Sequence, residues 1–129
     1  MTTSRQQLID LTFKFMEAFN TNNLEDVMDF FSEDAVYDEF NSRRNIGKEA
    51  ICRALEPQFS GKFGVMQFVD DDLFVDPASG KVMVSWQCKL EVKGQPTYWN
   101  GLDLLHFNGD KVVQKLTYAK SKVPLFYDC

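Results

Sequence analysis

Residues 98–107 read Tyr98-Trp99-Asn100-Gly101-Leu102-Asp103-Leu104-Leu105-His106-Phe107, an apolar run with one carboxylate near its middle. The run has the composition of a β-strand. Period-2 alternation puts Trp99, Gly101, Asp103 and Leu105 on one face and Tyr98, Asn100, Leu102, Leu104 and His106 on the other. Large apolar groups stand on both faces, so the strand is expected to be covered on both sides. A carboxylate in such a place must be hydrogen-bonded, paired or protonated, which makes Asp103 the centre of any site. No cation stands on the inward face of this strand or on the apolar face of the strand before it, so a neutral, protonated Asp103 is expected.

Outward from this strand, Asn108-Gly109-Asp110 turns into a last strand over Lys111–Ala119, and Lys93-Gly94-Gln95 leads back to Lys81–Val92. In that earlier strand Val82, Val84, Trp86, Cys88, Leu90 and Val92 alternate with Lys81, Ser85, Gln87, Lys89 and Glu91, giving one core face and one wet face. Asp76-Pro77-Ala78-Ser79-Gly80 is the turn that joins it to a strand over Val65–Val75. Four antiparallel strands in a meander follow.

The N-terminal half reads as helix. Leu8, Leu11, Phe15, Ala18 and Phe19 recur at helical spacing from an N-cap at Ser4 to Asn20, and Asn23 caps a second helix running through Phe31. Ala35–Phe40 alternates as a short strand with Ala35, Tyr37 and Glu39 on one side; Asn41–Asn45 is a polar loop; Lys48–Leu55 is a third helix ending near Pro57. Helices first and a meander afterwards give an α+β domain with helices covering one face of a curved sheet.

At 129 residues the chain is the size of one domain, residues 1–129. Fourteen basic against nineteen acidic residues, with no basic cluster, argue against nucleic acid as a partner. Cys52, Cys88 and Cys129 are odd in number and lack metal-ligand spacing, so they read as reduced thiols. Neither a secretory leader nor a transmembrane run is visible, and a cytoplasmic protein without membrane contact is expected. The acidic run Asp70-Asp71-Asp72 with Asp76 lacks the spacing of a calcium loop; no metal and no cofactor is expected.

Three phrases, Phe30-Phe31-Ser32-Glu33-Asp34-Ala35-Val36-Tyr37, Ile46-Gly47-Lys48-Glu49-Ala50-Ile51 and Gly101–Val113, resemble the NTF2-like superfamily in its SnoaL-like and ketosteroid-isomerase-like branches. The resemblance covers about Leu8 to Tyr118. It implies a cone-shaped α+β barrel, usually a homodimer, with an apolar pocket for a small molecule. It also implies roles: Asp103 falls where the isomerases hold a protonated aspartic acid that donates to a developing enolate oxygen, and Glu39 falls where they hold the aspartate base. Phe15 occupies the position of their helix tyrosine and cannot donate; losing one such donor typically costs roughly a hundred- to a thousandfold in rate. Tyr37 or Tyr118 is the candidate replacement.

Phe15, Phe19, Phe59, Phe68, Trp86 and Trp99 read as core aromatics, of which those near the mouth of the barrel would be ligand walls. His106 faces away from Asp103 and reads as surface or dimer interface. Leu102 and Leu104, on the outer face, call for a partner, and a twofold dimer through that face is expected. Two functions follow: a small-molecule isomerase or lyase using Glu39 and Asp103 for proton transfer next to a carbonyl, or a noncatalytic module that binds a small ligand or a protein.

Overall fold

The structure is a computed structural model and describes residues 3–120. Helix α1 spans Arg5–Asn20, opened by a reciprocal capping box between Ser4 and Gln7. Its buried face carries Leu8, Thr12, Phe15, Met16, Ala18 and Phe19; the Thr12 hydroxyl is satisfied by the Leu8 carbonyl at 2.7 Å. Helix α2 is one short turn, Leu24–Met28, capped by Asn23. Strand β1 follows at Phe31–Asp38, β2 at Arg44–Ile46, α3 at Lys48–Phe59, then β3 (Gln67–Asp76), β4 (Lys81–Val92), β5 (Gln95–Asn108) and β6 (Lys111–Ala119).

The six strands form one curved, unclosed sheet in the order β2-β1-β6-β5-β4-β3. Only β1 and β6 run parallel; β3 to β6 form the expected meander. The helices cover the concave face. Phe15 is fully buried there, with the rings of Phe19, Phe30 and Phe31 edge-on to it at 5.2–5.5 Å between centroids. Asn20, the last residue of α1, clamps β3: its Nδ2 donates to the Phe68 carbonyl at 2.9 Å, and the Phe68 amide donates to its Oδ1 at 2.7 Å.

Among the boundaries that differ from the sequence reading, β1 ends at Asp38 rather than Phe40 and β3 begins at Gln67 rather than Val65. Three others have a clear physical cause or consequence. The second helix stops at Met28, because Phe31 is recruited into β1 opposite Val112 and the Val112 amide donates to the Phe30 carbonyl at 2.8 Å. The polar loop after β1 contains β2, tied to it by a two-point Arg44–Asp38 ion pair at 2.7 and 2.9 Å. Helix α3 continues past Leu55 and includes Pro57. Cys52 and Cys88 are free thiols. No helix among the described residues is long and apolar enough to cross a membrane. The tail over residues 120–129, whose Pro124, Leu125, Phe126 and Tyr127 are too apolar in sequence for a free solvated end and imply packing, lies beyond Lys120 outside the described residues.

Candidate functional site

Strand β5 presents Asp103 to the concave face, 2% exposed. Three donors meet its carboxylate. Trp86 Nε1, from β4, reaches Oδ2 at 3.0 Å; Thr117 Oγ1 and Lys115 Nζ, both from β6, reach Oδ1 at 2.6 and 3.0 Å. Lys115 also donates to Thr117 Oγ1 at 2.7 Å, and its ammonium lies 4.5 Å from the centre of the Tyr37 ring and 5.5 Å from that of Phe19.

The expectation of an Asp103 without a cation nearby is therefore overturned: Lys115, itself only 5% exposed, is paired with it. Both carboxylate oxygens are engaged as acceptors, the pattern of an ionised carboxylate, and the role of a protonated donor does not fit this geometry. The cause is a β-bulge. The β5–β6 register shifts between His106 and Phe107, so that Gln114 opposes His106 while Val112 opposes Phe107, leaving Val113 as the extra residue. Beyond it Lys115 and Thr117 point inward beside Leu105 and Asp103, while Tyr118, opposite Leu102, is turned to the outer face and is 56% exposed.

Burial alone would depress the Lys115 amine, but the charge and hydrogen bond of Asp103, with Tyr37 and Glu39, outweigh it and hold the amine above its ordinary value. Lys115 is an ammonium. Burial also raises the Tyr37 phenol; Lys115 and a hydrogen bond with Thr117 oppose this, and Asp103 and Glu39 add to it. Tyr37 therefore keeps its proton at neutral pH.

Glu39 stands one residue past β1 and is half-buried. Asn45 of β2 donates to its Oε2 at 3.0 Å and to the Tyr37 carbonyl at 3.3 Å, so the β1–β2 hairpin holds the end of the strand that carries both Tyr37 and Glu39. These groups open on one cavity of about 70 Å³, walled by Phe19, Phe68, Trp86, Cys88 and Trp99. Phe40, half exposed, packs edge-on to Trp99 at 4.6 Å and marks the rim.

Of the residues singled out in the sequence, Asp103, Glu39, Tyr37, Phe19, Phe68, Trp86 and Trp99 line this cavity. Phe15 is core behind it, Phe59 packs on Phe19 at 6.2 Å without reaching the lining, and Tyr118 is on the other side of the sheet. Lys115 and Thr117 were missed. A larger hollow of about 630 Å³ lies outside the sheet between Val69, Ser85, Gln87, Leu102 and Tyr118. It is open and lacks the buried Lys115–Asp103 pair, so the smaller cavity is the candidate site. His106 faces a third hollow with Ser32 and Asp34. Among the described residues no three His, Cys, Asp or Glu side chains are grouped to hold a metal.

A curved sheet wrapped by N-terminal helices is the architecture of the NTF2-like class. The model of the SnoaL-like domain matches residues 13–115, and the chain belongs to that family. No curated protein matches the sequence significantly. Among solved structures, a proposed polyketide cyclase from Xanthomonas campestris pv. campestris superposes with a TM-score of 0.82 at 18% identity, covering 92% of this chain and 93% of that one. PrhC from Penicillium brasilianum NBRC 6234 gives 0.80 at 19%, covering 92% and 83%. An NTF2-like protein of unknown function from Cytophaga hutchinsonii ATCC 33406 gives 0.70 at 17%, covering 93% and 95%. At these identities the likeness is one of fold.

Proposed function

We propose that the chain is a small-molecule enzyme, an isomerase or lyase, that moves a proton at a carbon next to a carbonyl, with Glu39 as the base. The observation that carries this reading is that the Glu39 carboxylate and the Tyr37 phenol open on the same small apolar cavity as a buried ion pair. Asn45 engages one Glu39 oxygen, which leaves the other to take the proton. As the C–H bond breaks, its electron pair moves onto the carbonyl oxygen, and a donor placed there lowers the barrier. Tyr37, kept protonated, fills the place left by Phe15. Asp103 acts one step back, holding Lys115 and Trp86.

Phe19, Phe68, Trp86 and Trp99 suit an apolar ligand. A cavity of about 70 Å³ takes its reactive end, while the remainder lies across Phe40 and Trp99 at the rim. One of the fold neighbours is a proposed polyketide cyclase, which accords with a small-molecule ligand. A screen of enolisable ketones with the wild type, Glu39→Gln and Tyr37→Phe tests the reading. Turnover should fall in both variants, and unchanged turnover in Glu39→Gln sinks the mechanism.

A second reading, a noncatalytic binding module, would use the outer face of the sheet as a protein-binding surface. Phe74, Met83, Leu104 and Leu116 stand opposite one another across β3 to β6, and Phe74 and Leu104 are 68% and 41% exposed. This row, with Leu102 and Tyr118 beside it, fits a second copy of the chain, which is compatible with the enzyme reading.

A further inference from the structure

The buried ammonium has a proton to spare. Lys115 donates to Asp103 and to Thr117, and these two bonds leave its third N–H without an oxygen or nitrogen acceptor among the described residues. Only aromatic faces meet the ammonium otherwise, Tyr37 at 4.5 Å and Phe19 at 5.5 Å. The side chain is more than nine-tenths buried and lines the cavity. A desolvated ammonium with an unused donor binds an oxygen acceptor far better than it would in water.

We infer that Lys115 is the group that receives the ligand's oxygen, so that a carbonyl, and the enolate it becomes, is bound by an ammonium as well as by the Tyr37 phenol. The inference rests on reading this cavity as the ligand site. Lys115 forms no covalent bond in the step: the proton goes to Glu39, the C–H electron pair becomes the enolate, and the ammonium offers it a hydrogen bond. Being protonated, the amine has no lone pair with which to attack a carbonyl.

Charge balance adds the class of ligand. The titratable groups facing the cavity are Lys115, Asp103, Glu39, Tyr37 and Cys88. Tyr37 and Cys88 are held neutral by burial, and Asp103 compensates Lys115, so the proposed role of Glu39 as base puts one uncompensated negative charge in the cavity. That charge repels a ligand arriving as an anion and moves onto the ligand when Glu39 takes its proton. The ligand therefore enters neutral.

Binding of 4-nitrophenol, whose absorbance distinguishes phenol from phenolate, tests Lys115 apart from any turnover. Wild type should bind the probe through its oxygen, and Glu39→Gln should bind it more tightly and with a larger phenolate fraction. Lys115→Met alone strands Asp103, so the paired variant Lys115→Met/Asp103→Asn keeps the fold testable. It should lose roughly ten- to a hundredfold in affinity, the worth of one hydrogen bond to a charged group, together with the phenolate signal. Equal binding in wild type and the paired variant, or no binding to the wild type at millimolar probe, overturns the inference. The proton-transfer reading fails on the turnover of Glu39→Gln instead, so the two failures are distinguishable.

Discussion

Lys115 and Asp103 sit diagonally across β6 and β5, joined by a 3.0 Å ion pair while 5% and 2% exposed. Two charges taken so far out of water are tolerated because each is hydrogen-bonded beyond the pair, Asp103 by Trp86 and both by Thr117. Removing one partner leaves the other charge buried and alone. Lys115→Met is expected to lose about 3–5 kcal/mol, and Asp103→Asn to lose stability as well, while the paired variant recovers much of the loss. Urea denaturation of the four proteins measures the coupling; additive losses would show that the charges do not depend on each other.

Gly101 stands opposite Trp86, and a Cβ built on it lies 2.5 Å from the Trp86 ring and 2.5 Å from the Tyr118 carbonyl. The carbonyl belongs to the β6 backbone and cannot step aside, so the indole must. Gly101→Ala should therefore lift Trp86 Nε1 away from Asp103, at a cost of roughly 1–3 kcal/mol for overpacking. A shift in tryptophan emission together with a lowered denaturation midpoint is the expected outcome; unchanged emission would mean that the strands part instead.

Much of this architecture was legible because its signals are local. The alternation of Val82 to Val92 marks β4, Ser4 and Gln7 mark the start of α1, and Asp76 to Gly80 marks a hairpin. Asp103 stood out because a carboxylate among large apolar residues needs a partner. The partner itself was hidden. Simple alternation over Lys111–Ala119 groups Val112, Leu116 and Tyr118 on one face and Lys115 with Thr117 on the other, which reads as core against water. The bulge at Val113 breaks that parity: Val112 and Lys115 both end up inside, and Tyr118 goes out. A bulge is decided by pairing with β5 and β1, which no window of β6 contains. Phe31 was misread as helix for a related reason, since its place in β1 depends on the parallel contact with Val112, a partner far along the chain.

The exposed row on the outer face makes a prediction about assembly. Leu104 lies between Met83 and Leu116 at its centre and is 41% exposed, with Phe74 at 68% at one end. Burying such a row against its own copy removes apolar surface at about 25 cal/mol per Å². Sedimentation should find the wild type dimeric at micromolar concentration and Leu104→Glu monomeric with its fold intact. A wild type that sediments as a monomer removes the dimer.

The titrations of three buried groups set the alkaline limit of stability. Burial pushes the Cys88 thiol from its ordinary value of 9.0 up to about 12. The Tyr37 phenol is raised above 10.0, again chiefly by burial, and Lys115 is held above 10.5 by Asp103 and Tyr37 against the opposing effect of burial. In each case the folded chain keeps a proton that the unfolded chain releases, so unfolding sheds protons and stability falls as pH rises. The contributions are fully present below the unfolded values. The loss should begin near pH 9 with Cys88 and steepen above 10 as Tyr37 and Lys115 join it. Cys88→Ala should delay the onset and Tyr37→Phe should flatten the steeper part. Urea midpoints measured from about pH 8 to about pH 11 on wild type and both variants read this directly. A wild-type midpoint that stays level across that range would mean that Cys88 and Tyr37 are not shielded from water in the folded protein, which would remove the buried phenol assigned to the cavity.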